Sequence, residues 1–363
     1  MKQATQYMSG EMWPDDTGTH INAHGGGILY HEGVYYWFGE HKISGDAGNV
    51  AHVGVHCYSS TDLHSWKDSG IALAVSSNPG CDIEDGCVLE RPKVIFNPAH
   101  GTFVMWFHLE LKGHGYSAAR AGVAVADTPT GPYTFIRSFR PNAGFWPINV
   151  TDAEKRAIHD TALMADMNAR QFSGAPDPDL PRYPVCARDY ASGQMSRDMT
   201  LFVDDDGRAY HVCASEENST IHISLLSDDY QAPTGKYVRI FEHRWHEAPA
   251  LCKLRGRYWL LTSGCTGWAP NAARSAVADS LWGPWKELGN PCEGINPRNG
   301  MGPEKTFGGQ STFILPIPGE TDTCIAMFDE WRPDDAIDGR YLWLPMRCTD
   351  DRFTIAFRTT DWL

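Results

Sequence analysis

Three short stretches set a carboxylate directly ahead of an apolar strand: ERPKVIF from Glu90, SRDMTLF carrying Asp198, and HEAPAL carrying Glu247. Two more fill the same place differently, GGQSTF with the amide Gln310 and HGGGILY with Gly25. Carboxylates gathered at one site drive their pKa values apart, so one stays ionised while another keeps its proton near neutrality. An acid held that way can protonate a leaving oxygen. When a second group manages a water on the opposite face of a sugar, the two stand roughly 6.5–9.5 Å apart in inverting glycosidic cleavage. Aromatic faces such as Trp37, Trp268 and Trp331 suit sugar rings, although most of the 13 tryptophans must serve packing.

For these residues to meet, the chain must bring five distant segments together. Each segment follows one plan: a polar or glycine position, an apolar strand, a Gly, Asn or Asp turn, and a second strand rich in aromatics. They begin at His24, Glu90, Ser196, His246 and Gly308, and turn chemistry and alternation make each a β-hairpin. CYSSTDLHSWKDSG (57–70), AVADTPTGPYTFIRS (124–138) and AVADSLWGPWKELG (276–289) add outer strand pairs. Self-similarity of this kind favours an all-β, five-bladed β-propeller over a β-sandwich. Inner strands of a propeller start at one end of its channel, so the aligned positions Gly25, Glu90, Asp198, Glu247 and Gln310 face one funnel, with His24 at its mouth either beside sugar or a central ion or, equally, in a packing or hydrogen-bonded role. The whole chain, 1–363, reads as one such domain. An insertion at about 141–195 interrupts it, with helical periodicity at 151–172 and the character of a surface lid.

Composition removes several classes. A net charge of -14 with no Lys/Arg run argues against nucleic acid and anionic membrane surfaces. No apolar stretch is long enough to span a bilayer, and the N-terminus lacks a signal-peptide core, so a cytoplasmic monomer is expected. Ten cysteines lack CxxC or Cys/His spacing, which argues against zinc, with Cys81 and Cys87 a candidate loop disulfide only in an exported protein. DDDG at 204–207 lacks the later glutamate of a calcium loop and reads as a hairpin turn.

Together with AHGGGIL and YWFGE, the motifs ERPKVIF, SRD, EAP and GWAPN resemble glycoside hydrolase family 43, most closely its exo-β-1,3-galactanase branch and neighbouring subgroups. The resemblance runs from about residue 15 to Leu363. It implies an inverting, exo-acting hydrolase of oligo- or polysaccharide that requires no cofactor, a structural calcium in the central channel being the one ion considered. By the same resemblance Glu247 is the general acid and Asp198 the carboxylate that raises its pKa. The aspartate base of most members is absent, Gly25 leaving room for water, and Gln310 takes over the water. Glu90, Glu40, Tyr116, Trp268 and Asn271 would contact substrate. Departures lie at SGCTGWAPN (263–271) and in the long insertion, both where substrate contacts fall.

Alternatives stay open beside these roles. Glu90 with Arg91, and Asp198 with Arg197, also read as buried ion pairs holding strand ends. Gln310 is a poor proton acceptor and also reads as a hydrogen-bonding wall residue. The best substrate is β-1,3-galactan; a β-D-galactofuranosidase, an α-L-arabinofuranosidase and a non-catalytic carbohydrate-binding propeller are the other readings.

Overall fold

A computed structural model describes residues 8–170, 172 and 174–359. Their strands form five antiparallel meanders arranged around one axis. Blades one to four comprise residues 24–74, 88–139, 199–240 and 247–289, four strands each. Blade five (residues 310–356) gains a fifth strand, Cys292–Glu293, which runs parallel to Phe353–Ala356 at its outer edge. The innermost strands His24–His31, Val88–Asn97, Met199–Val203, Glu247–Leu254 and Gln310–Pro316 each touch the next around a closed ring. Every expected hairpin is present, in the expected place.

The core is divided among the five seams between neighbouring blades. Phe38 and Val55 of blade one meet Met105 and Phe107 of blade two, Trp106 meets Met199 and Leu201 of blade three, and Tyr210 meets Leu251 and Leu260 of blade four. Trp259 then packs with Ile314 and Phe328 of blade five. This pattern follows from strand alternation, since a twisted blade covered on both faces needs apolar residues on both. Trp37, read above as a face for sugar, belongs to the last seam: it is 1% exposed and sits 4.9 Å from Trp343 and 5.5 Å from Trp13. Trp13 comes from the N-terminal segment, which closes the ring where Gly10 N–H bonds Tyr341 O (2.8 Å) and Tyr341 O–H donates to Ile21 O (2.8 Å).

The insertion leaves blade two after Phe139 and returns at Met199. It carries helices α1 (Asp152–Ala157), α2 (Thr161–Ala169) and α3 (Val185–Arg188). α1 starts at a capping box, Thr151 and Glu154 bonding each other's backbone. Met167, Leu180, Tyr183 and Val185 give the insertion a small core of its own. No helix among the described residues is long and apolar enough to cross a membrane.

Candidate active site

Four of the five inner strands open with the same irregularity. The partners His24↔Glu40, Glu90↔His108 and Glu247↔Ser263 are each followed by a bulge before pairing resumes at Gly27, Lys93 and Ala250; in blade five it comes one residue later, between Ser311↔Phe328 and Phe313. A bulge swings the residue before it towards the axis and often places the next one in left-handed backbone. Gly25, Arg91 and Ala248 accordingly have φ of 60°, 55° and 50°. Gly25 is therefore equivalent to Arg91, and the blade-one counterpart of Glu90 is His24. The sequence alignment was off by one there because three glycines conceal a bulge.

The three glycines also do not leave room for water. A Cβ on Gly25 would lie 2.2 Å from Glu40 Oε1, one on Gly26 1.7 Å from Phe38 O, and one on Gly27 2.6 Å from Lys93 Cδ. Glu40, from the second strand of blade one, fills the vacated volume. Each glycine is small because a different group from a neighbouring strand already occupies its side.

The funnel ends in a cavity of about 400 Å³ lined by Glu40, Glu90, Tyr116, Asp198, Glu247, Trp268 and Gln310 together with Lys42, Arg91, His108, Arg197 and Trp331. Glu247 is largely enclosed. Burial, and next the charge of Asp198, push its pKa up to about 8, against the opposing pull of Arg91 and Arg197. Asp198 Oδ2 accepts from Ala248 N (3.1 Å), which fixes it beside the acid, and pairs with Arg91 Nη2 (3.0 Å). Asn218 Nδ2 donates to Glu247 Oε1 (2.7 Å). Near neutrality Glu247 is thus a proton donor facing an enclosed space.

Across blades one and two the carboxylates behave oppositely. Glu90 Oε2 lies 2.9 Å from His108 Nδ1, while His108 Nε2 bonds Glu110 Oε1 (2.9 Å). Burial alone would raise the Glu90 pKa, but the hydrogen bond and charge of His108 outweigh it and bring it down; the same contacts overcome burial at His108 and raise it to about 10. Tyr116 O–H donates to Glu90 Oε1 (2.8 Å). Glu40 bonds Lys42 Nζ at 2.6 Å and accepts from Arg91 N (3.0 Å). The ion-pair alternative for Glu90 is realised with His108, and that for Asp198 with Arg91.

Arg91 links both halves. Its Nη2 also donates to Gln310 Oε1 (2.6 Å), its Nη1 donates to Ser311 O (3.0 Å), and the guanidinium lies 5.3 Å from the Trp331 ring centre. Trp331 Nε1 donates to the same Gln310 oxygen (2.8 Å), and Gln310 Nε2 donates to Ser263 Oγ (2.9 Å). Arginine and indole are donors only, so the amide oxygen must face them and both its lone pairs are engaged. One N–H of Gln310 remains for a water or a sugar hydroxyl.

Two expected contacts fall elsewhere. His24 is fully buried and neutral, stacked on Tyr341 (5.4 Å) in the blade-five seam, where Gly339 leaves room for its ring: a Cβ there would lie 2.7 Å from the imidazole. Asn271 bonds Gly264 N (2.7 Å), Gly264 O (3.0 Å) and Thr266 Oγ1 (2.7 Å), bracing the loop that carries Trp268. Trp268 is 43% exposed at the rim, edge-on to Trp331 at 5.6 Å.

A channel calcium is poorly served here. The buried Lys93 Nζ already bonds Gly25 O (2.9 Å) and Arg91 O (3.3 Å), inner-strand carbonyls that would otherwise be open to an ion. Glu90, His108 and Asp198 have donor atoms within 4.8 Å of one another, but His108 holds its proton between two glutamates and Arg91 holds Asp198, so few lone pairs are left for a metal. All ten cysteines are free, Cys81 and Cys87 included.

Sequence reading missed Arg91, His108, Asn218 and Cys265 in this wall. Arg91 and His108 sit beside or across from a predicted residue and follow from the hairpin register. Asn218 and Cys265 lie in turns between strands and gain their roles only from neighbours in another blade.

The sequence profile of glycosyl hydrolases family 43 matches residues 183–297. A solved GH43 β-1,3-galactosidase, complexed with galactodeoxynojirimycin, is 50% identical over 98% of this chain and 99% of its own, with a TM-score of 0.85. An exo-β-1,3-galactanase from Clostridium thermocellum is 34% identical over 97% of this chain and 65% of its own (TM-score 0.75). One from Phanerochaete chrysosporium, solved with β-1,3-galactotriose, is 32% identical over 96% and 66% (TM-score 0.73). This chain thus spans about two thirds of those two galactanases. No curated protein matches it.

Proposed function

The chain belongs to glycosyl hydrolases family 43, and from that premise we propose that it removes terminal galactose from β-1,3-linked galactan with inversion at the anomeric carbon. The observation that carries the chemistry is Glu247, an enclosed carboxylic acid held protonated by burial and by Asp198. A binding protein has no use for such a tuned acid. The substrate reading rests on the 50% identity with a β-1,3-galactosidase and on a cavity whose polar walls and rim tryptophan suit one end of a sugar chain.

In this scheme Glu247 protonates the glycosidic oxygen as the bond to the anomeric carbon breaks, and a water completes the displacement from the opposite face. The charge of Asp198 keeps the Glu247 pKa high, so that after turnover the glutamate takes a proton back from solvent. Gln310 steadies the water through its spare N–H. Its oxygen is held by Arg91 and Trp331, so it serves as a fixed strut and the proton leaves by way of solvent or an ionised neighbour. Glu90, with Tyr116 beside it, accepts hydrogen bonds from sugar hydroxyls.

Anomeric-proton NMR on β-1,3-galactobiose, with arabinofuranosyl and galactofuranosyl substrates in parallel, tests the proposal. Galactobiose should turn over and release α-galactose first. Release of β-galactose first, or turnover of a furanoside alone, would refute it.

A further inference from the structure

The turn joining the second and third strands of blade three contains Glu216, Glu217 and Asn218, consecutive residues with φ of 50°, 60° and 65°. Left-handed backbone at one such residue is uncommon, and a run of three without glycine persists only where surrounding contacts dictate it. Those contacts are ionic. Glu216, fully buried, is gripped by Arg239 (2.5 and 2.8 Å) and by His222 Nε2 (2.7 Å). Glu217 lies between Arg188 Nη1 (2.9 Å) and Arg197 Nη2 (3.2 Å).

Much of that grip comes from the insertion. Arg188 belongs to α3. Glu154, the capping residue of α1, bonds Arg239 Nη1 at 2.6 Å. The loop after α2 brings Gly174 so close that a Cβ there would lie 2.4 Å from Arg197 Nη1 and 3.5 Å from Asn218 Nδ2. Two helices and a loop therefore converge on a turn whose last residue, Asn218, is 8% exposed and donates to the oxygen Oε1 of Glu247. In a protonated carboxyl the carbonyl-type oxygen is the better acceptor, so a donor at Oε1 leaves the transferable proton on Oε2.

We propose that Asn218 is a positioning residue that selects which oxygen of Glu247 carries the proton, and that the insertion, through Arg188 and Glu154, holds Asn218 in place. The inference rests on Glu247 being the general acid. It makes the insertion a brace for the acid's orientation in addition to a wall of the cavity.

The groups facing Glu247 are Asp198, Arg91, Arg197, Cys265 and Asn218. Those around the turn are Arg188, Arg197, Arg239 and His222, with Glu242 3.1 Å from Arg239 and Asp189 2.7 Å from Arg188. An N–H donor favours the ionised carboxyl, and so does Arg197. Losing Asn218, or freeing the turn so that Arg197 follows Glu217, should raise the Glu247 pKa in both cases.

Asn218→Ala should lower kcat on β-1,3-galactobiose by about tenfold or more, leave an aryl galactoside with a good leaving group within about threefold, and move the basic limb upward. Arg188→Gln should reproduce the same signature more weakly, and Arg188→Lys should restore most of it. Equal losses on both substrates, a change in KM alone, or an unmoved basic limb would overturn the proposal, the KM result assigning Asn218 to the sugar. NMR titration of the Glu247 carboxyl in wild type, Asn218→Ala and Arg188→Gln needs no substrate, so it decides the positioning role even if galactosides are not cleaved. An upward shift in both variants supports it, and identical titration in all three ends it. Wild type inactive on both galactosides would instead defeat the functional reading.

Discussion

One wall of the cavity stores charge and the other stores a proton. In blades one and two, Glu40 and Glu90 are buried but face Lys42, His108 and Tyr116, so their environment is rich in donors, and Glu90 is held ionised. In blades three and four, Glu247 is equally enclosed but has the anion Asp198 as neighbour, and its cations are turned towards other carboxylates. Identical side chains on equivalent bulges, Glu90 and Glu247, thus end on opposite sides of neutral pH. Strand position alone does not assign an acid; the charged neighbour does, the His108 imidazole across the hairpin for Glu90 and the anion Asp198 of the adjoining blade for Glu247.

The contrast breaks most completely when the proton is removed from its wall. Glu247→Gln should lower kcat on galactobiose about 10²–10⁴-fold, as general acid catalysis contributes. An activated aryl galactoside, whose leaving group needs less protonation, should recover most of the loss; wild-type-like turnover of galactobiose would move the acid elsewhere.

On the opposite wall the effect is on stability. Glu110→Gln removes one of two carboxylates holding a buried imidazolium and should destabilise the fold by about 3 kcal/mol, read from denaturant unfolding. The pH dependence has a definite sign. Because the His108 pKa is raised to about 10, its contribution is fully present below about 6.5 and fades as pH rises through 10. In the variant the contribution should be smaller and the fading complete at a lower pH, and coincident stability profiles would show that His108 is not held as described.

The smallest change sharpens the comparison by making the two walls more alike. Asp198→Asn removes the anion that raises the Glu247 pKa, so the basic limb of kcat/KM should move down by about one pH unit or more. An unmoved limb would leave burial as the whole cause.

The order of strands, the hairpins and the five-fold repeat were legible in the sequence because they depend on local alternation and turn chemistry, which any short window carries. So was the meeting of Glu247 and Asp198, since both stand at the start of inner strands in adjoining blades. The run of three glycines at 25–27 is equally plain in the sequence, and glycine beside a strand permits a close approach. What approaches was beyond it: Glu40 and Lys93 come from other strands, and a bulge shifts the equivalence by one residue without changing composition. His24 and Trp37 went to seams for the same reason, because which face of a strand meets its neighbour is set when blades pack. The Glu216 to Asn218 turn is the extreme case, left-handed against intrinsic preference and held by arginines up to 30 residues away in sequence. Only a folded chain brings those charges within hydrogen-bond reach, so only the tertiary structure decided which buried carboxyl keeps its proton.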